Sequence, residues 1–272
     1  MQKTLIALVV VVLVGVAGFF YWQGTRHRDP EPQPLVETPT QPLPTREEPA
    51  MRYPVPEVPP PVVEEATPEP VEPIRPLPTL NESDAEMQDH LASFFPGQEL
   101  SELFVLNNII QRITVTIDTL PQKDLPVRLL PTKPTPGSFM VEGPEGEQVI
   151  SPQNQRRYGT FVRLVDAVDT RRAVAVYVRL YPLFQQAYRQ LGHPTGYFND
   201  RLVAVIDHLL ATPQVTEPVR VAQHVVRYRF VDPELEALSA GQKLMIRIGP
   251  DNARIIKAKL REIREAVTNL PQ

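Results

Sequence analysis

Apolar and polar positions divide the chain into three stretches. From Thr4 to Trp22 no side chain is charged, and Leu5 to Leu8 runs directly into Val9 to Val14 and then Phe19-Phe20-Tyr21-Trp22. These 19 residues rise about 29 Å as a helix, against a bilayer core of about 30 Å. A transmembrane anchor is therefore expected at residues 4–22, with the aromatic cluster in the interfacial belt. The competing reading is a signal peptide cleaved near Gly15-Val16-Ala17. The cluster of aromatics beyond that point favours a retained anchor.

A third stretch, residues 81–272, shows helical and strand periodicities. Ser83-Asp84-Ala85-Glu86 matches a capping box, so a helix is predicted from about 84 to Phe94. A second, from about Glu99 to Ile117, would set Leu100, Leu103, Phe104, Asn107, Ile110 and Ile113 on one stripe, with Asn107 as a buried amide bonded to loop backbone. Five prolines between 121 and 136 forbid a helix; Phe139 to Val141, a Gly143-Pro144-Glu145-Gly146 turn and Gln148 to Ile150 read as a hairpin. Ser151-Pro152 opens a helix to about Val168. Thr170 caps the longest apolar segment, Arg171 to Leu191, closed by Gly192 and kinked or divided by Pro182. A helix from about Asn199 to Ala211, a strand over Val225 to Phe230, a helix start at Asp232-Pro233, and a final helix over about 251–269 complete the pattern.

The middle stretch lacks both periodicities. Residues 29–80 hold 17 prolines, ten acids and three arginines, a charge of −7. Proline fixes φ and lacks an amide hydrogen, so a disordered, polyproline-biased tether is expected. Residues 1–28 carry +3 and residues 81–272 are neutral, which excludes the basic footprint of a nucleic-acid binder. The chain has no cysteine, which excludes thiol nucleophiles, disulfides and cysteine-ligated zinc. Three organisational units follow: anchor and flanks at 1–28, linker at 29–80 and a mainly helical domain with a minor β part at 81–272. The acidic linker and the missing cysteine favour a translocated carboxyl side. The plan resembles that of TonB-type energy transducers, but residues 4–22 contain none of the protonatable residues that their coupling role implies.

Within the third stretch, Tyr181-Pro182-Leu183-Phe184 with Ala187-Tyr188 and Leu191-Gly192 is followed by Tyr228-Arg229-Phe230-Val231-Asp232-Pro233-Glu234-Leu235-Glu236. Gln242-Lys243-Leu244 and Arg247-Ile248-Gly249-Pro250-Asp251-Asn252 come next. This string is similar to the bacterial family known as domain of unknown function 3014, over most of residues 80–270. The resemblance implies a membrane-anchored envelope protein and brings no catalytic residues with it.

Candidate chemistry is sparse. No Gly-x-Gly loop, phosphate loop or Gly-x-Ser-x-Gly elbow occurs. His90, His193, His208 and His224 form no metal-ligand spacing, and Glu86 with His90 reads as a surface pair. Asp232, Glu234 and Glu236 are the densest acids, and their place at a helix start accounts for them through the helix dipole. Lys243, Arg247, Arg254, Lys257, Lys259, Arg261 and Arg264, interleaved with acids, read as a solvated face. No catalytic, cofactor-binding or metal-binding residue is therefore assigned. The expected function is a non-catalytic interaction or scaffold module in the inner membrane, single-pass with the domain in the periplasm, meeting a protein or other envelope partner. The alternative is an envelope-polymer hydrolase or lyase using the 232–236 acids.

Overall fold

The computed structural model describes residues 50–56, 76–95, 99–135, 137–225 and 227–270. The expected anchor at residues 4–22 lies outside these. Among the described residues no helix is long and apolar enough to cross a membrane. A 3-10 turn at Leu80–Glu82 leads into α1 (Asp84–Phe94), α2 (Glu99–Leu103) and α3 (Ile109–Thr119). After a second 3-10 turn at Val127–Leu129 come β1 (Val141–Glu142), β2 (Val149–Ile150), α4 (Gln153–Asp166), α5 (Thr170–Gln190) and α6 (Phe198–Leu210). The chain ends with β3 (Val221–His224), β4 (Arg227–Phe230), α7 (Pro233–Ala237), α8 (Ala240–Arg247) and α9 (Pro250–Thr268).

The mainly helical expectation holds. α5 is the buried element its apolar girth predicts: Val176, Tyr177, Leu180, Phe184 and Ala187 are all enclosed. It shares the centre with α9, which packs against α4, α5 and α6 through Ile256, Leu260, Ile263 and Val267. α3 lies against α5 and α6. Tyr177, Phe184, Phe198 and Tyr188 form an aromatic nucleus, with Phe184 and Phe198 stacked at 5.4 Å. Aromatic rings at such separations pack their quadrupoles favourably as well as burying large areas. Pro182 does not divide α5, which runs unbroken past it.

The β part is two antiparallel pairs, β1–β2 and β3–β4. They are joined by the Val149–Arg220 bridge and by Ile150 N–H donating to Val219 O at 2.9 Å. A small second core of Val219, Val221, Phe230 and Ile246 lies beneath them. The expected strand over Val225 to Phe230 starts later, at Arg227. Val225 has φ 56° and is 78 % exposed, so it belongs to the turn of a hairpin whose other strand, Val221–His224, alternation did not reveal.

Five further expectations are corrected. The Ser83–Glu86 capping box does not form: the Ser83 hydroxyl donates to Leu80 O at 2.7 Å, closing the preceding turn, and Glu86 pairs with Arg179. The single helix over 99–117 is broken, because Val105 N–H donates to Pro131 O and Lys133 N–H to Leu103 O, drawing the chain out between α2 and α3. Asn107 is consequently exposed rather than a buried amide. Asp169, not Thr170, caps α5, accepting from Arg172 N–H at 2.8 Å. Part of the expected linker belongs to the domain: Val55 and Leu80 are buried in the main core, and Tyr53 packs against it.

Candidate binding cleft

A cleft of about 710 Å³ opens between residues 123–129 and the surface made by β4, α7 and α8. Prolines at 121, 126 and 131 keep one wall irregular, and it presents Leu125, Val127 and the 45 %-exposed Leu129. Six cationic side chains line the cleft: Lys123, Arg128, Arg227, Arg229, Lys243 and Arg247. They face two carboxylates, Asp124 and Glu236. Arg227 and Arg229 alternate with Tyr228 along β4 and so share one face of the strand. In a domain that is neutral overall, this is a local positive field.

Arg247 is the anchor of that field. It is buried; its Nη2 donates to Tyr228 O at 2.7 Å, and its guanidinium lies 4.9 Å from the Phe230 ring and 5.9 Å from that of Phe139. Burial pushes its pKa down to about 10, against the opposing pull of Glu236, so it stays charged at neutral pH. Lys243 donates to Glu236 Oε1 at 3.0 Å, and Glu236 Oε2 accepts Phe230 N–H at 3.0 Å. Glu236 and Arg247 thus occupy main-chain groups along the outer edge of β4, where an unsatisfied edge would invite strand pairing.

The acids at 232–236 accordingly have structural work. Asp232 caps α7 by accepting Glu234 N–H at 2.8 Å, while Glu236 is tied to β4 and Lys243. Glu86 approaches His90 at 3.6 Å, but Arg179 Nε donates to the same Glu86 oxygen at 2.8 Å, which fills the place a metal ion would need. Among the described residues no cluster of three or more metal-binding side chains occurs. His193 stacks on Tyr188 at 4.4 Å and meets Asp118 at 3.2 Å, and His224 is exposed at the end of β3.

One pairing went unseen in the sequence: His208 Nε2 lies 2.8 Å from Ser239 Oγ. A serine beside a histidine is the start of nucleophilic catalysis. Here, however, Ser239 is 7 % exposed, caps α8 by accepting Gln242 N–H at 3.1 Å, and does not line the cleft.

The basic residues of the carboxyl end do not form the single solvated face expected. Lys259 is buried, donating to Val168 O at 3.1 Å and Glu262 at 2.8 Å, and so ties α9 to the start of α5. Arg264 pairs with Asp207 across to α6. Arg254, Lys257 and Arg261 form a stripe beside a second cleft of about 350 Å³ at the α8–α9 junction. Lys257 donates to Thr212 O at 2.6 Å, and burial lowers its pKa, helped by Arg261. The junction itself is packing: Gly249 has φ 88°, and a Cβ there would lie 2.9 Å from Gln155 Oε1.

Fold and cleft together define a helical domain with a small β appendage and a basic, apolar-walled groove. The family described as protein of unknown function (DUF3014) matches residues 109–264, and the chain belongs to it. That span contains α3 to α8, most of α9 and every residue lining the basic cleft. No curated protein and no solved structure matches the chain.

Proposed function

We propose that this chain is a single-pass, membrane-tethered binding module of the cell envelope, non-catalytic, whose basic cleft takes an acidic, extended partner. The observation that carries the reading is the cleft's charge imbalance on apolar walls. Such a surface steers an anionic partner by its field and retains it by apolar contact. The apolar run at 4–22 supports an inner-membrane anchor, and the acidic tract with its missing cysteine supports a periplasmic domain. The engagement of Asp232 and Glu236 in capping and edge closure leaves the hydrolase or lyase alternative without an available carboxylate pair.

The test is photocrosslinking in cells from position Leu129, with mass spectrometry of the captured species. An acidic partner should be captured and should be lost in the Arg227→Glu/Arg229→Glu variant. Capture unchanged by that variant, or turnover of an envelope polymer by the purified chain, would count against the reading. A reporter fused after Gln272 should be active as a periplasmic phosphatase and dark as a cytoplasmic fluorophore; the reverse pattern would remove the periplasmic placement.

A further inference from the structure

A second recognition surface lies on the α5–α6 face, and a piece of the chain itself shows what it takes. Arg52 N–H and Tyr53 N–H both donate to the Asp200 carboxylate, at 3.0 and 2.9 Å. The Asn199 side-chain amide donates to Tyr53 O at 2.9 Å. Two residues on, Val55 is buried in the main core. Of the receiving groups, Asn199 is held independently of the segment. Asn199 is fully buried, accepts from Tyr177 OH at 3.0 Å and also donates to Val267 O at 3.2 Å, so α5 and α9 orient it.

All three hydrogen bonds go to the segment's main chain. The groove therefore reads a bend at Arg52-Tyr53, whose successive N–H groups converge on one carboxylate, followed by a branched apolar residue, and Pro54 and Pro56 lower the ordering cost by fixing φ just after the bend. Between the seated segment and α5 a cleft of about 540 Å³ remains, walled by Met51, Val55 and Pro56 on one side and by Tyr181, Arg189 and Tyr197 on the other. Aromatic walls of this kind suit proline rings.

We propose that this groove is a recognition site for a bent, proline-containing peptide of a partner protein, and that Met51–Pro56 is a dissociable internal ligand occupying it. The surface is distinct from the basic cleft: its polar reader is a carboxylate, and Arg52 supplies one of the paired amides. An internal ligand competes at high effective concentration, so a partner's peptide engages only when the segment lets go or when the partner binds elsewhere as well.

The probe is a fluorescein-labelled peptide with the sequence of residues 50–56, followed by anisotropy with the purified full-length chain. A variant with residues 51–56 replaced by Gly-Ser of equal length should bind it at least about tenfold more tightly than wild type. Adding Asp200→Ala to that variant should remove the gain. Equal binding by wild type and replaced variant, or binding indifferent to Asp200→Ala, would overturn the proposal. Far-UV circular dichroism checks the replaced variant's fold. If it does not fold, hydrogen exchange on wild type decides: Arg52 and Tyr53 amides exchanging faster than those of Val203 and Ile206 support a dissociable segment, and equal protection overturns it. Concentration-dependent dimers that vanish in the replaced variant would instead assign the groove to a second copy of this chain.

Discussion

The carboxylate of Asp84 accepts the backbone N–H of Ile109 at 2.8 Å and that of Asn108 at 2.7 Å, so α3 is capped from the first residue of α1. Asn108 precedes α3 in the left-handed region, φ 50°, and its own side chain makes no cap bond. The first amides of a helix have no partner within it, and here a distant acid meets that need. Asp84→Ala should lower stability by about 1–2 kcal/mol, measured by urea unfolding. A change within error would show that water caps α3 equally well.

Asp232 and Glu236 give a test that separates structural from catalytic roles. Asp232→Asn keeps a good capping side chain and should leave stability near wild type, whereas Glu236→Gln loses the charge pair with Lys243 and should cost about 1 kcal/mol. Asp232→Asn, which lies outside the cleft lining, should leave partner capture in cells unchanged. Loss of the cellular phenotype with unchanged melting in both variants would revive an enzymatic reading.

Gly241 lies inside α8, where alanine would ordinarily be favoured by about 1 kcal/mol. A Cβ there would meet Leu209 Cδ2 at 2.7 Å and Leu120 O at 3.0 Å. Overpacking of this kind costs about 1–3 kcal/mol, so Gly241→Ala should destabilise the fold overall. A raised melting temperature would show that Leu209 repacks freely.

His208 and His90 both have pKa values below the ordinary histidine value, burial being the first cause in each. Arg201 adds to the effect at His208, and Glu86 opposes it at His90. The fold thus favours their neutral forms. That contribution is complete above the unfolded value of about 6.5 and is lost as pH falls through it toward the lower folded values. The melting temperature should fall between about pH 7.5 and about pH 5, and His208→Gln should flatten part of that slope. An unchanged slope in His208→Gln would remove His208 from the account.

Elements bounded by local chemistry were legible in the sequence. Asp232-Pro233 starts α7, Gly192 closes α5 with φ 103°, and Gly143 and Gly146 turn the first hairpin. What escaped depends on distant partners. The break at Asn107-Asn108 is imposed by Pro131 and Asp84. In β3 only Val221 is buried, so Ala222, Gln223 and His224 leave no alternation to read. α8 is short and contains Gly241, which hides its period. Of the basic cleft, Lys243 and Arg247 stood out as charges near the carboxyl end, but only the fold brings them beside Arg128 and Arg227. The His208–Ser239 pair joins positions 31 apart, a distance no local motif spans.

Seating Arg52 to Val55 on α6 also sets how the domain bears a pull. Tension applied to the chain on the N-terminal side of Ala50 is delivered to Asp200 and Asn199, and α1 feels none of it while those bonds hold. Once they yield, and Val55 leaves the core with them, the next core-buried residue along the described chain to take the load is Leu80. The attachment would therefore behave as a sacrificial link, parting before any core helix is loaded.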